Sequence, residues 1–368
     1  MKTIHIITLL GCLSFLGGQL PAAETNTAWG GLRAIPEGRL VDAQTMAKIY
    51  DEVKTPYKYG VVLQGAGKDE VVDCPSIFRE GKHWYMLYTA STNKVGYQTF
   101  LAQSDDLLHW QKLGPILSFP GAGQWDARQA DGGIALCDYH WNGTHELEPY
   151  EQKYWLSYIG GAKKGYETDP LSIGVAWTRN PVRAREWNRV SDNPVLSPQQ
   201  ADARPFETQS LYKSQIIHDE KRTLGWPFVM FYNAKCKNGF EQIGMAVSSD
   251  MVTWLRYGPN SVIVNGEAEK NGISGDPQIV KMGEVWVMFY YGAGWQPKAF
   301  DTFAASCDLV HWTKWEGPHL VDPSEPYDQT YAHKPWVVKW NGVVYHFYCA
   351  VGEQGRGIAV ATSKDLRK

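Results

Sequence analysis

Five short apolar segments along the chain are each preceded by a pair of residues that are often charged. The five pairs are Asp73-Cys74, Ala130-Asp131, Tyr212-Lys213, Gly275-Asp276 and His333-Lys334. Carboxylates and ammonium groups that gather in one place are electrostatically costly unless they bind something. Paired carboxylates are what glycosidic bond cleavage requires, since one protonates the leaving oxygen while the other activates water or attacks the anomeric carbon.

These segments belong to a unit that the chain repeats five times. In the fourth copy an apolar run, Asp276 to Val280, is followed by a turn and an aromatic run, Trp286 to Tyr290. Three copies continue into a small-residue strand and a hairpin that ends at Trp110, Trp254 or Trp312. Units of ~40 to 60 residues with about four strands are typical of a β-propeller, in which each unit is one blade. The sequence therefore predicts an all-β fold, a five-bladed β-propeller.

The spacing of the repeat predicts two further features of the ring. The aligned apolar residues are 57, 82, 63 and 58 positions apart, which places an insertion in the second blade, at 139–152. The fifth copy ends at Leu366, before an outer strand. We predict that residues 59–64 supply that strand, because closing the ring removes exposed sheet edges.

The segment before the ring predicts a leader and a helix. Residues 1–23 resemble a secretory signal peptide, with Lys2, an apolar run too short to span a membrane and a small-residue cleavage site. This predicts a periplasmic or secreted protein, with a lipid anchor at Cys12 as the alternative. Residues 24–58 form an N-terminal extension, and residues 59–368 form the propeller. In the extension, apolar residues at helical spacing after Asp42 predict a short helix that packs against the ring: Met46, Ile49, Tyr50 and Val53.

The composition narrows the classes of partner. The net charge of −3 and the lack of a basic stripe argue against nucleic acid and membrane surfaces. The cysteines after the leader lack zinc-type spacing and are interpreted as buried thiols. There is no G-x-S-x-G, no H-E-x-x-H and no complete phosphate loop, so acyl transfer, zinc hydrolysis and nucleotide binding lack a motif.

The innermost strands of a propeller begin at one face, near the axis, so the five pairs should converge into one pocket. Asp73, Asp131 and Asp276 are then the candidate catalytic aspartates, with Lys213 and His333 beside them. Loops between second and third strands open onto the same face and add Glu167 and Glu241. Any single aspartate at a turn can instead be a cap. That interpretation applies to Asp residues that recur at outer positions of several blades, namely 105, 106, 250 and 308.

Aromatic residues are abundant, with 16 tryptophans and 20 tyrosines. Most tryptophans recur by blade and are interpreted as packing residues. Trp295 does not follow the repeat, and it lies at the end of a second strand, on the side of the predicted pocket. We therefore predict that Trp295 stacks on a sugar ring.

Two motifs resemble the five-bladed propeller glycoside hydrolases, which include families 43, 62, 32, 68, 117 and 130. They are Asp-Cys-Pro-Ser-Ile-Phe at the start of the first unit and Gly-Asp-Pro-Gln-Ile-Val at the start of the fourth. The resemblance implies that Asp73 is the base or nucleophile and that Asp131 or Asp276 tunes the pair. It also implies a general acid from a later blade, for which Glu207 is the nearest match. His333 matches a histidine that lies beside calcium in some members, although no cofactor is required.

The resulting expectation is an exo-acting glycoside hydrolase of oligo- or polysaccharides, with inversion favoured over retention. A phosphorylase or a hydrolase of acidic sugars is the first alternative, because four basic residues could bind phosphate or a uronate: Arg128, Arg204, Lys213 and Lys334. A propeller that binds glycan without cutting it is the second alternative.

Overall fold

The computed structural model describes residues 40–67, 69–264, 272–294 and 297–367. The helix α1 (Ala43–Val53) and the strand β1 (Tyr57–Gln64) come first. Blade one comprises β2 (Glu70–Glu80), β3 (His83–Thr92), β4 (Gln98–Ser104) and β5 (Gln111–Leu117). Blade two comprises β6 (Gln129–Ile134), β7 (Tyr154–Gly161), β8 (Ser172–Thr178) and β9 (Asn188–Arg189).

The remaining blades follow the same order from the axis outward. Blade three comprises β10 (Ser210–His218), β11 (Phe228–Lys235), β12 (Glu241–Ser248) and β13 (Leu255–Arg256). Blade four comprises β14 (Ile273–Met282), β15 (Val285–Ala293), β16 (Phe300–Ser306) and β17 (Trp312–Lys314). Blade five comprises β18 (Tyr331–Trp340), β19 (Val343–Gly352), β20 (Gly355–Thr362) and, outermost, β1. The predicted all-β, five-bladed propeller is confirmed.

An N-terminal strand closes the ring. β1 pairs antiparallel with β20, from Tyr57 opposite Thr362 to Gln64 opposite Gly357. The predicted closure is confirmed, with the strand beginning at Tyr57 rather than Tyr59. The two chain ends of the propeller therefore share one sheet, and the outer edge of β20 is paired.

The insertion in the second blade lies between β6 and β7 and crosses the axis at the far end of the inner strands. It forms hydrogen bonds with the end of the inner strand in each of the other four blades. In blade one, Arg79 N donates to His145 O at 2.8 Å, and in blade three, Tyr139 Oη donates to His218 O at 2.5 Å. In blade four, Trp141 N donates to Lys281 O at 2.9 Å, and in blade five, His145 Nε2 lies 3.0 Å from Lys339 O. Because the insertion satisfies polar backbone groups from four blades, it seals the lower end of the central channel.

The helix α1 packs at that same lower end. Asp42 caps it by accepting a hydrogen bond from Thr45 N at 2.9 Å. Met46, Ile49 and Val53 are buried in one cluster with Trp141 of the insertion and with apolar residues of blades four and five. The predicted packing helix is confirmed. No helix among the described residues has the length and apolar character needed to cross a membrane.

The tryptophan hairpins lie at the outer side of the blades, whereas two of the cysteines, Cys74 and Cys349, are buried beside the central pocket. In the tryptophan hairpins Asp106, Asp250 and Asp308 each accept hydrogen bonds from the backbone two and three residues ahead, as expected for caps. The five described cysteines are free thiols. Cys307 is exposed, which corrects the expectation of buried thiols, because it lies in the turn that follows β16.

Candidate active site

A pocket of about 380 Å³ opens at the face where the inner strands begin. All five blades contribute side chains to it, as the predicted convergence requires. The residues that line it are Cys74, Ile159, Tyr166, Glu167, Tyr212, Asn233, Lys235, Glu241, Ile273, Asp276, Tyr291, Ala293, Ala299, Tyr331, His333, Lys334 and Arg356.

A backbone irregularity turns some of these side chains inward. The pairing of the inner strand with its neighbour shifts register between Asp73 and Ser76, and the same shift occurs in blades four and five. The residue before proline at each shift has a positive φ, namely 50° at Cys74, 51° at Asp276 and 63° at Lys334. Such backbone conformations cost on the order of 1–3 kcal/mol and cluster at functional sites.

Asp73 lies one layer below the pocket and does not line it. It is fully buried, and its carboxylate pairs with the Arg356 guanidinium and accepts a hydrogen bond from Tyr97 Oη at 3.0 Å. Lys334 Nζ lies 3.5 Å from the same carboxylate oxygen. Burial alone would raise the pKa of Asp73, but the positive charges of Arg356 and Lys334 hold that pKa well below its usual range. Asp73 is therefore an ionised counter-ion of two cations.

Two glutamates line the pocket and have different partners. Glu167 Oε1 lies 3.1 Å from Lys334 Nζ, and burial raises the pKa of Glu167 while the ammonium group opposes that effect. Glu241 Oε2 accepts a hydrogen bond from Asn233 Nδ2 at 2.9 Å. Burial raises the pKa of Glu241 to about 7, and the hydrogen bond from Asn233 acts in the opposite direction. Glu167 thus contacts an ammonium group directly, whereas Glu241 is hydrogen-bonded by a neutral amide and feels the charge of Lys235 without an ion pair to it.

Asp276 lines the same pocket as Glu241. It is buried, and its Oδ2 has no hydrogen-bond partner among the described residues. Burial raises the pKa of Asp276. A side chain at Gly275 would collide with Asn233, since an added Cβ would lie 2.6 Å from Nδ2. The glycine therefore makes room for the amide that holds Glu241.

Asp131 and Lys213 lie below the pocket surface. Burial raises the pKa of Asp131 to about 8, and its Oδ2 is 3.7 Å from the Cys74 thiol. Lys213 Nζ donates to Pro75 O at 3.2 Å and lies 5.8 Å from the centre of the Trp336 ring. Both residues thus belong to the floor that supports the lining residues.

His333 lines the pocket but does not form a calcium site. Its Nδ1 lies 3.1 Å from Cys349 O, and burial lowers its pKa to about 3, with Arg356 acting in the same direction. A divalent cation there would face the charges of Arg356 and Lys334. Within the described ranges no group of three or more His, Cys, Asp or Glu side chains is arranged to hold a metal ion. The residues around His333 do not fit calcium.

The structure does not bring Glu207 to the pocket. Glu207 is fully buried in the turn before β10, where its carboxylate pairs with Arg256 and accepts a hydrogen bond from Tyr232 Oη at 2.8 Å. Arg204 Nη2 lies 3.2 Å from the same carboxylate.

Two other predicted residues do not appear in the pocket. Arg128 is exposed and does not line the pocket, and Trp295 lies outside the described residues. Of the predicted site residues, Asp276, Glu241 and His333 line the pocket, and Asp73, Asp131 and Lys213 support it.

Glu207→Gln should lower stability. Removing the charge leaves Arg204 buried without its carboxylate and Arg256 with the partly exposed Asp202 alone, and breaking a buried ion pair typically costs about 3–5 kcal/mol. Urea unfolding measures the loss. Glu186→Gln is the matched control, because its ion pair with Arg189 is half exposed and should be worth less than ~1 kcal/mol. Unchanged stability together with lost catalysis would return Glu207 to the catalytic candidates.

Arg356 was not predicted from the sequence, although its repeat position points to it. It is the second residue of β20, just after the turn that joins the second and third strands of blade five. Glu167 lies in the corresponding loop of blade two, and Glu241 is the first residue after that loop in blade three. Asn233 was also missed, since its residue type alone gave no signal, whereas Tyr166 lies beside Glu167 in a loop that the repeat places at this face.

The solved structures contain relatives of this chain, whereas no protein-family model and no curated protein matches it. BT0996, solved as a complex with RGII, is 45% identical, with a TM-score of 0.84 over 89% of this chain and 96% of that protein. A second structure, a glycoside hydrolase, is 44% identical, with a TM-score of 0.85 over the same shares of both proteins. The chain is a glycoside hydrolase.

This glycoside hydrolase also shares its fold with more distant enzymes. A thermostable family-43 glycoside hydrolase matches with a TM-score of 0.60 and 14% identity, over 85% of this chain and 94% of that enzyme. The predicted resemblance to the five-bladed propeller glycoside hydrolases is confirmed.

Proposed function

We propose that this glycoside hydrolase removes terminal sugar residues from oligo- or polysaccharides, with Glu241 as general acid and Glu167 as the ionised carboxylate that activates water. The observation that carries the proposal is a blind pocket lined by two glutamates whose partners differ in charge. Asp73 is not assigned as the base, because it is fully buried beneath Lys334 and Arg356.

The partners of the two glutamates support these roles. A general acid must hold a proton at the working pH, and a pKa of about 7 allows Glu241 to do so. The carboxylate that activates water must be ionised, and the ammonium group of Lys334 favours that form of Glu167. Environments that differ in this way are how two carboxyl groups acquire opposite roles.

The shape of the pocket supports an exo-acting enzyme. Its volume of about 380 Å³ lies near the low end of the ~300–1,000 Å³ typical of ligand pockets. The insertion in blade two seals the lower end of the channel, so a polysaccharide has no path through the ring. A chain end entering from the open face is then the substrate that fits.

The positions of the basic residues support hydrolysis over phosphorolysis. Arg204 is buried against Glu207, Arg128 lies outside the pocket lining, and Lys213 lies beneath it. Lys334 lines the pocket together with Lys235 and Arg356, and each of these three is already paired with a carboxylate. The four cations proposed from the sequence to bind phosphate or a uronate therefore do not form one anion site.

Incubation with oligosaccharides tests the proposal. RGII-derived oligosaccharides are the first choice, because BT0996 forms a complex with RGII, and plant and algal oligosaccharides follow, each with and without phosphate. We expect release of one kind of monosaccharide, independent of phosphate and absent from the Glu167→Gln/Glu241→Gln double variant. Internal fragments or a sugar phosphate product would contradict the proposal. ¹H NMR of the first anomer released tests the sequence-based expectation of inversion.

The pH dependence should report the protonation of Glu241. Because burial raises its pKa to about 7, the acid form persists below that pH and is lost above it. We expect kcat/KM to fall with rising pH through about 7. Asn233→Leu removes a hydrogen bond that favours the ionised form, so the basic limb should move to higher pH. A limb that stays in place or moves down would contradict the assignment.

A further inference from the structure

Among the described residues that line the pocket, two tyrosines are the most exposed. Tyr166 is 45% exposed and Tyr331 is 42% exposed, whereas the other lining residues are buried or half-buried. They therefore form the mouth. Tyr166 comes from blade two and Tyr331 from the start of the inner strand in blade five, so the mouth has an aromatic ring from each of two blades.

Both rings are held in place. Arg356 Nη1 donates to Tyr166 Oη at 2.6 Å, and the guanidinium carbon lies 4.8 Å from the ring centre. Tyr331 pairs through its backbone with Val351 and Ala299, and its ring lies 5.7 Å from that of His333. Rings that are ordered before binding lose little conformational entropy when a ligand stacks on them.

The two catalytic glutamates lie deeper than the mouth. The side chain of Glu167 is 15% exposed, and Glu241 is 9% exposed. Since the lower end of the channel is sealed, the part of the substrate beyond the scissile bond must extend outward, past the tyrosines. A sugar ring has an apolar C–H face that can pack on an aromatic ring, and ring contacts contribute about 0.5–1.5 kcal/mol.

We propose that Tyr166 and Tyr331 form a leaving-group subsite that binds the second sugar ring of the chain, next to the scissile bond. This rests on the proposed exo-acting function. The ligand class is an oligosaccharide of at least two rings, rather than a monosaccharide. The subsite favours chain ends over small glycosides of the same terminal sugar.

Kinetics on two substrates test the subsite. One substrate is the oligosaccharide that the enzyme cleaves, and the other is the glycosyl fluoride of its terminal sugar, which has no second ring. Tyr331→Ala should lower kcat/KM for the oligosaccharide about tenfold more than for the fluoride, since a tenfold change corresponds to about 1.4 kcal/mol. Tyr331→Phe keeps the ring and should retain the preference. Tyr57→Ala is the control, because Tyr57 is 40% exposed on β1, outside the pocket lining.

A binding measurement separates this proposal from the proposed function. Calorimetry measures binding of the RGII-derived oligosaccharide to two proteins, the Glu241→Gln variant and the Glu241→Gln/Tyr331→Ala double variant. The double variant should have a dissociation constant about tenfold larger. If the wild type cleaves no substrate but this difference appears, the hydrolytic function fails, and the tyrosines remain a binding site for the second sugar ring without a role in leaving-group binding. Equal losses on both substrates, or equal dissociation constants, would overturn the subsite.

Discussion

Glu167→Gln should reduce turnover by on the order of 10⁴ on every substrate, including an aryl glycoside with a good leaving group. Attack at the anomeric carbon needs an ionised carboxylate whatever group departs, and glutamine keeps the shape of Glu167 without its charge. Lys334, which lies 3.1 Å from Glu167 Oε1, keeps Asp73 as a partner in the variant, so the fold should survive. Steady-state rates on the oligosaccharide and on the aryl glycoside measure the effect.

Two other variants test whether the loss of turnover is specific to Glu167. Glu284→Gln, at an exposed position away from the pocket, should leave the rates unchanged. Asp73→Asn should lower stability, because it leaves Arg356 and Lys334 buried with less negative charge. If Asp73→Asn instead abolished turnover at unchanged stability while Glu167→Gln stayed active, the base would be Asp73, as the family resemblance implies.

The architecture was predictable because the propeller is built from a repeat. Each copy must bury its faces against its neighbours, so a short fifth copy requires a strand from elsewhere, and β1 fills that place. The same reasoning placed Asp276, Lys334 and His333 at the axis, since the aligned apolar residue fixes where an inner strand begins. Glu167 and Glu241 were recognisable as members of the loops that open onto the same face.

The depth of each side chain was not predictable, because it depends on a register shift of one residue. In blade one the shift turns Cys74 into the pocket and leaves Asp73 below it, although the aspartate is the residue that carries the family resemblance. Glu207 was misleading for another reason. One partner, Arg204, is only three residues away, but the other, Arg256, lies far along the chain in β13, so the sequence did not show that two arginines bury the carboxylate.

Glu241→Gln should separate substrates by their leaving groups. Loss of the general acid removes protonation of the departing oxygen, so cleavage of natural linkages should fall by ~10² to 10⁴. An activated aryl glycoside, whose leaving group needs little protonation, should keep much of its rate. The fall in kcat/KM above pH about 7 should also disappear for that substrate, because the titrating carboxyl group is gone.

Asp276→Asn is the comparison for the general acid, since Asp276 is another buried carboxyl group that lines the pocket, and burial raises its pKa as well. If Glu241 is the acid, the dependence on leaving group should appear in Glu241→Gln and be absent from Asp276→Asn. The reverse pattern would make Asp276 the acid. Equal losses on both substrates in Glu241→Gln would instead indicate that Glu241 binds the sugar, because a binding residue affects both leaving groups alike.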